Sequence, residues 1–220
     1  MRPPQLLSVR LGDPPAPWEA AGFAVAYPHD GPPTVVLGRT VVELTGRGDG
    51  VEGWAVDGVD HDVDGIPAVP APRSTADAGP HPNGVVRLDH VVVTTDDGGR
   101  TVTALTAAGL EVRGERHGQA FGAPVHQQFL WAGDTIVEVV APEPATATAG
   151  GAGDVGTARL FGLAVVTPDL DATCEILGER IGAPREAVQP GRRVATLRHR
   201  DLGLSVPVLV MTPHVRGEVR

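Results

Sequence analysis

The stretch that decides the fold reads LDHVVVTT, from Leu88 to Thr95, and its β-branched residues are typical of a buried strand. The following segment, Gly98 to Ala108, has helical spacing of its apolar residues and stops at Gly109, a common helix terminator. Three further strand-like segments follow before position 142, and a Gly-Asp turn joins the last two. The predicted order of this block is therefore strand, helix and three strands, written βαβββ.

Two other blocks of the chain repeat this order. The C-terminal block has a strand from Leu163 to Thr167, a helix from Leu170 to Leu177, and later strands that end at Met211. The N-terminal block carries two sequence echoes of the middle block: AAGF at 20–23 matches AAGL at 107–110, and GRTVVEL at 38–44 matches GDTIVEV at 133–139. The echoes fall in the same order in both blocks, which indicates a repeat.

Segments rich in Pro, Ala and Gly separate the blocks and predict linkers. We predict a degenerate βαβββ-like unit at residues 1–60, a Pro/Ala-rich linker at 61–85, a middle βαβββ unit at 86–142 and a C-terminal βαβββ unit at 158–214.

The composition excludes several classes of function. The 220 residues include 27 acidic and 18 basic ones, for a formal net charge of -9, which disfavours nucleic acid and anionic membrane surfaces as partners. A single cysteine, Cys174, rules out an internal disulfide framework and fits a reducing compartment. No apolar run reaches the roughly 20 residues of a membrane helix, and no signal peptide follows Met1. We expect a cytoplasmic protein.

The 88–93 strand, the helix that ends in AAGL and the GDTIVEV strand together resemble one half of the vicinal oxygen chelate superfamily. This superfamily includes glyoxalases, extradiol dioxygenases, epimerases and antibiotic-binding resistance proteins. The resemblance covers Gly84 to Pro213 and extends loosely to the N-terminal block. It implies an α+β fold in which tandem βαβββ units pair into a cupped mixed sheet, with a metal ion or a ligand in the cup.

The resemblance also implies metal ligands, normally a His on the first strand and a Glu on the last strand of each unit. His90 and Glu138 match these positions in the middle unit, whereas Gly162 and Leu209 stand there in the C-terminal unit and cannot bind metal. Glu43 echoes Glu138 in the N-terminal unit. The cofactor expected is therefore either a divalent ion, such as Zn, Ni, Mn or Fe(II), or none.

The sequence leaves open which units pair, within one chain or across a homodimer. If the N-terminal unit pairs with the middle one, Glu43, His90 and Glu138 form a metal-ligand set with Glu138 as a general base. The alternatives are structural: Glu43 can be an edge-strand charge that blocks aggregation, and His90 can simply hydrogen-bond in a polar pocket.

Five residues are candidate ligand-binding residues of the cup. Three aromatic side chains can stack on a ligand, and two polar side chains share a face of one strand: Phe129, Trp131 and Phe161, with His126 and Gln128. The turn from Arg185 to Arg193 can hold a carboxylate or phosphate of a ligand through its arginines, but a solvated turn is the favoured explanation.

Two hypotheses of function follow. One is a metal-free protein whose cup binds a small apolar or aromatic molecule, which the loss of ligands at Gly162 and Leu209 favours. The other is a divalent-metal lyase, isomerase or dioxygenase that acts on a small oxygenated metabolite, which the shared face of His90 and Glu138 favours. Catalysis is left undecided.

Overall fold

The computed structural model describes residues 4–73, 78–120, 122–143 and 157–214. The N-terminal elements are β1 (Leu6–Leu11), α1 (Pro15–Ala20), β2 (Thr34–Leu37), β3 (Thr40–Leu44) and β4 (Val51–Val56). The middle elements are β5 (Arg87–Thr94), α2 (Gly98–Ala107), β6 (Glu111–Ala120), β7 (Ala123–Ala132) and β8 (Thr135–Pro142). The C-terminal elements are β9 (Arg159–Val166), α3 (Leu170–Leu177), β10 (Arg185–Glu186), β11 (Arg193–Thr196), α4 (His199–Leu202) and β12 (Val208–Met211).

The middle and C-terminal elements form one sheet of eight strands. Its order is β10-β11-β12-β9-β5-β8-β7-β6. In each half the first strand pairs in parallel with the last one, β5 with β8 and β9 with β12, and an antiparallel β5–β9 contact joins the halves. The α+β fold with paired βαβββ units is therefore confirmed, and the middle unit pairs with the C-terminal one within the chain.

The two halves repeat each other in detail at the point where the first strand enters its helix. In the middle unit the Thr101 hydroxyl donates to the Thr95 hydroxyl at 2.8 Å. In the C-terminal unit the hydroxyls of Thr173 and Thr167 make the same contact, also at 2.8 Å. The repeat thus extends to buried hydrogen bonds as well as to strand order.

The N-terminal elements form a separate sheet of order β2-β3-β1-β4. The sequence predicts three strands after the helix, in the arrangement of the middle unit. In the structure β3 pairs with β1 and β2 pairs with β3, whereas β4 pairs antiparallel with the opposite edge of β1. The strand that would complete the repeat directly after the helix falls in residues 22–33, where the described backbone has one isolated bridge, from Ala26 to Thr34. Pro28, Pro32 and Pro33 lie there and cannot donate ladder hydrogen bonds.

A continuous hydrophobic core joins the two sheets. Trp18 and Trp54 from the N-terminal elements are buried in it together with Val91 and Val137 of the large sheet. The Thr40 and Thr135 hydroxyls also meet, at 3.3 Å. The helix-bearing face of the large sheet is therefore covered where Val91 and Val137 pack against the core, and the opposite face is open.

Among the described residues, no helix has the length and apolar character needed to cross a bilayer.

Candidate ligand-binding and acid-base site

The free face of the large sheet forms a cup with a cavity of about 920 Å³. Both halves of the sheet contribute to its lining. The apolar part of the wall consists of Phe129, Trp131, Ile136, Val188, Leu209 and Met211. A cavity of this size and character suits a small organic molecule.

A β-bulge places two adjacent polar residues on this same face. Opposite β5, Leu88 pairs with Val165 and His90 with the next residue, Ala164, so Asp89 is the extra residue of β5. A bulge re-aims side chains that would otherwise alternate between faces. Asp89 and His90 consequently both line the cavity.

The His90 ring lies between two carboxylates. Its Nε2 is 3.2 Å from Oε2 of Glu138, and its Nδ1 is 3.0 Å from Oδ2 of Asp89. Two carboxylate oxygens cannot hydrogen-bond to a neutral imidazole at both nitrogens unless one of them carries a proton. Because Asp89 already hydrogen-bonds Nδ1, the contact between Nε2 and Glu138 is favourable when one proton lies between the two groups, an arrangement that suits an acid-base pair.

Asp89 is the fixed charge of this arrangement. Arg192 donates two hydrogen bonds to its carboxylate, from Nη1 to Oδ2 at 3.1 Å and from Nη2 to Oδ1 at 3.0 Å. Both side chains are buried. Burial of the Asp89 carboxyl opposes its ionisation, but hydrogen bonds from His90 and Arg192 outweigh burial and hold its pKa well below the usual range. Asp89 is therefore an anion that orients His90.

Glu138 is held from the other side by a polar relay. The side-chain amide of Gln127 donates to Oε1 of Glu138, and Arg116 donates to Oε1 of Gln127 from Nε at 3.0 Å and Nη2 at 2.8 Å. The Arg116 guanidinium also lies over the Phe129 ring, 5.6 Å from its centroid. Among the described residues the guanidinium contacts this amide and this ring but no carboxylate. Arg116 thus brings an uncompensated positive charge to the cavity.

The structure brings together four of the residues singled out from the sequence. His90 and Glu138 are in direct contact, and Phe129 and Trp131 line the same cavity. Their roles in binding and catalysis remain predictions.

Glu43 lies elsewhere, which corrects the three-residue set with His90 and Glu138. It belongs to β3 of the N-terminal sheet, where it accepts a hydrogen bond from Ser8 at 2.9 Å and pairs with Arg10 at 3.1 Å. Because the middle unit pairs with the C-terminal one, the N-terminal sheet contributes nothing to the described lining of the cup.

Three further expected placements in the cup are corrected. In β7 the odd-numbered residues face the cup, so His126 and Gln128 point to the opposite face, where Leu130 enters the core. Phe161 of β9 falls at a register shift opposite Val92 and Val93, is 38% exposed, and is not among the described residues that line the cavity.

His126 instead joins a group on the outer face of the sheet. Its ring and the side chains of Glu115 and His117 place one ligand atom each within 4.8 Å of one another. This exposed group could hold a metal ion.

Sequence reasoning missed Asp89, Arg116 and Gln127. The bulge places Asp89 on the same face as His90, and no residue pattern signals it. Arg116 lies in a polar stretch, EVRGERHGQ at 111–119, whose lack of apolar alternation gives no sign of the long strand β6. Arg192, by contrast, belongs to the arginine-bearing turn that the sequence marked as able to hold a carboxylate, and the carboxylate it holds is that of Asp89.

Comparison with known proteins gives the following likenesses. Methylmalonyl-CoA epimerase from Mycobacterium tuberculosis matches with a TM-score of 0.45 at 20% identity, over 60% of this chain and 91% of its own. A hypothetical protein from Bacillus halodurans C-125 matches with a TM-score of 0.45 at 16% identity, over 60% of this chain and 97% of its own. Methylmalonyl-CoA epimerase from Streptomyces coelicolor, in complex with 2-nitronate-propionyl-CoA, matches with a TM-score of 0.44 at 21% identity, over 60% and 99%. No protein-family model and no curated protein matches the chain.

The strand order and register themselves define the class of fold. Two βαβββ units joined edge to edge by their first strands, with a cup on one face, form the glyoxalase-like fold of the vicinal oxygen chelate superfamily that the sequence predicts.

Proposed function

We propose that the cup binds a small organic anion, a compound with a carboxylate or similar oxyanion attached to an apolar or aromatic body. The observation that carries this proposal is Arg116, whose cationic guanidinium faces the cavity without a carboxylate partner among the described residues. Arginine binds planar oxyanions through two parallel N–H donors, and Gln127 and Phe129 hold this guanidinium in one orientation.

The walls support the apolar part of the ligand. Phe129 and Trp131 offer aromatic faces on one side, and Val188, Leu209 and Met211 offer aliphatic surface on the other. Leu209 stands where the middle unit has Glu138, so at this position the C-terminal half contributes apolar lining and no acid-base group. The ligand is therefore expected to lie across the two halves, with its charged end at Arg116.

A divalent metal fits this cup poorly. His90 and Glu138 contact each other, the amide oxygen of Gln127 is taken by Arg116, and the positions that complete the family's set carry Gly162 and Leu209. A Cβ at Gly162 would lie 2.8 Å from the carbonyl oxygen of Pro207, so close backbone packing accounts for this glycine. Two protein donors beside an arginine are too few to hold a catalytic ion firmly.

A second candidate is an isomerase that moves a proton on the bound anion. The contact between His90 and Glu138, with Asp89 on the other side of the ring, supports it. In such a reaction Glu138 takes a proton from the carbon next to the carboxylate, His90 stabilises the negative charge that results, and Glu138 returns the proton to the same or the adjacent carbon. The metal-dependent lyase or dioxygenase is the remaining alternative, and the donor set argues against it.

Fluorescence of Trp131 tests the binding proposal, because this side chain lines the cavity whereas Trp18 and Trp54 are buried in the core. Aryl and branched aliphatic carboxylic acids are titrated against their neutral primary amides. The acids should quench the fluorescence and the amides should not, and Trp131→Phe should remove the response. Arg116→Ala should weaken binding about 10- to 100-fold, as expected for a lost charge-assisted hydrogen bond.

The matched control is Arg159→Ala, which removes an exposed arginine of β9 that is outside the described cavity lining and should leave the affinity unchanged. Equal binding of acids and amides, or no effect of Arg116→Ala, would refute the proposal. Proton exchange on a bound acid in D₂O, followed by NMR, tests the isomerase candidate. Glu138→Gln should abolish the exchange while binding persists.

A further inference from the structure

We propose that Glu115, His117 and His126 form a transition-metal site on the outer face of the β6–β7 hairpin, for an ion such as Zn²⁺. His117 and His126 are directly paired across the two strands, and Glu115 precedes His117 by two residues on the same face. Three donor atoms, one from each side chain, lie within 4.8 Å of one another. The pairing of the two strands thus brings these three side chains together, and no loop residue is needed.

The donors and their spacing suit a borderline metal ion. The two imidazole rings stack in parallel, with centroids 4.5 Å apart and planes 2° from parallel. Nε2 of His126 lies 3.0 Å from Oε2 of Glu115. Two imidazoles and one carboxylate form a ligand set that Zn²⁺ uses in proteins, with a fourth position left for water.

An outer carboxylate already orients one of the ligands. Nδ1 of His117 hydrogen-bonds Oε1 of Glu143 at 2.6 Å, a contact that favours the tautomer in which Nδ1 donates to the carboxylate. The lone pair of His117 is then on Nε2, where it can bind a metal. A carboxylate behind a ligating histidine is the usual arrangement at metal sites, because it fixes the tautomer and raises the basicity of the ring.

This site is separate from the cup. The residues that alternate with its ligands, Arg116 and Gln127, point to the cup face, so the sheet lies between the two places. Glu115 and His117 belong to β6, the edge strand, His126 belongs to β7, and Glu143 follows β8. A bound ion would therefore link the edge strand β6 to its neighbour β7.

Isothermal titration with Zn²⁺ tests the proposal, on tag-free full-length chain carrying His90→Ala and Glu138→Gln so that the cup cannot contribute. One Zn²⁺ per chain should bind, and adding His117→Ala or His126→Ala should abolish it. Because these ligands lie on the surface of a hairpin, circular dichroism should show that the variants fold. The matched control, Gln119→Ala, changes an exposed residue of β6 two positions beyond His117 and should leave the titration unchanged.

A positioning variant adds a second measurement. Glu143→Gln should keep the stoichiometry at one ion and weaken the affinity about 10- to 100-fold. Absence of Zn²⁺ binding at micromolar concentrations, or binding that survives His117→Ala and His126→Ala, would overturn the proposal.

Discussion

The N-terminal sheet and the middle unit carry the same glutamate in the same place but use it differently. Glu43 lies on β3 beside β1 as Glu138 lies on β8 beside β5, and both strand pairs are parallel. Two residues before the partner of each glutamate stand Ser8 and His90, respectively. Each contacts its glutamate, Ser8 at 2.9 Å and His90 at 3.2 Å.

The difference comes from the residue directly paired with the glutamate. Arg10 pairs with Glu43 and donates to its carboxylate, whereas Val92 pairs with Glu138 and carries no charge. A fixed cation makes Glu43 part of a structural ion pair. Glu138 has no such cation beside it and contacts His90 and the side-chain amide of Gln127 instead. The same architecture therefore holds an ion pair in one sheet and, in the function proposed above, an acid-base pair in the other.

The largest effect should come from breaking the ion pair that supports the acid-base pair of the cup. Arg192→Ala leaves Asp89 charged and buried, and we expect it to lower the free energy of unfolding by about 3–5 kcal/mol. Urea denaturation followed by circular dichroism measures this loss. The neighbouring Arg193→Ala breaks an exposed pair with Asp171 and should cost under about 1 kcal/mol. Equal losses in the two variants would contradict the account.

The same carboxylate predicts how stability depends on pH. The pKa of Asp89 is depressed in the folded protein, so its contribution is fully present above its unfolded pKa of about 3.9. That contribution is lost as the pH falls from about 4 towards the folded pKa. Asp89→Asn should remove this part of the acid dependence. Unfolding free energies measured from pH 7 to pH 2 would show it, and parallel curves for the two proteins would count against Asp89.

A smaller effect should separate the two glutamates. Arg10→Ala should destabilise the protein by about 2 kcal/mol, because Glu43 loses its charged hydrogen-bond partner. His90→Ala should cost less stability but remove proton exchange on a bound acid. Thermal unfolding and the NMR exchange assay distinguish these outcomes. The comparison fails if Arg10→Ala abolishes ligand binding in the cup.

The smallest effect sharpens the comparison between the two halves of the large sheet. Asp97 and Asp169 cap their helices with the same hydrogen bond, each accepting from the backbone N–H three residues later at 2.9 Å. Replacing either with Ala should cost about 1 kcal/mol. Chemical denaturation should give similar losses of unfolding free energy for the two variants. A several-fold difference would show that the two caps, although alike in geometry, do not contribute equally to stability.

The sequence predicts the strand order well because the apolar runs of β5, β8 and β9 belong to buried strands with few polar interruptions. It also predicts that His90 and Glu138 meet. The sequence predicts a strand at Gln127 to Trp131, within β7, but not the length of β6, because this edge strand is exposed to solvent over much of its length and has no apolar alternation.

The details of the site depend on features that no local pattern encodes. The bulge at Asp89 changes which residues of β5 share a face of the sheet. The face on which His126 and Gln128 lie depends on the register of β7 against β8, which the sequence does not determine. The partner of Glu43 required knowing which units pair, a question decided by the packing of whole sheets.

The most direct test of the central claim, that the cup binds an organic anion through Arg116 rather than through a metal, is a titration with and without chelator. An aryl carboxylate that quenches Trp131 is titrated in buffer, in excess EDTA, and against Arg116→Ala. The account predicts the same dissociation constant in EDTA and about 10- to 100-fold weaker binding to Arg116→Ala. Binding that disappears in EDTA and returns with added divalent metal would contradict it.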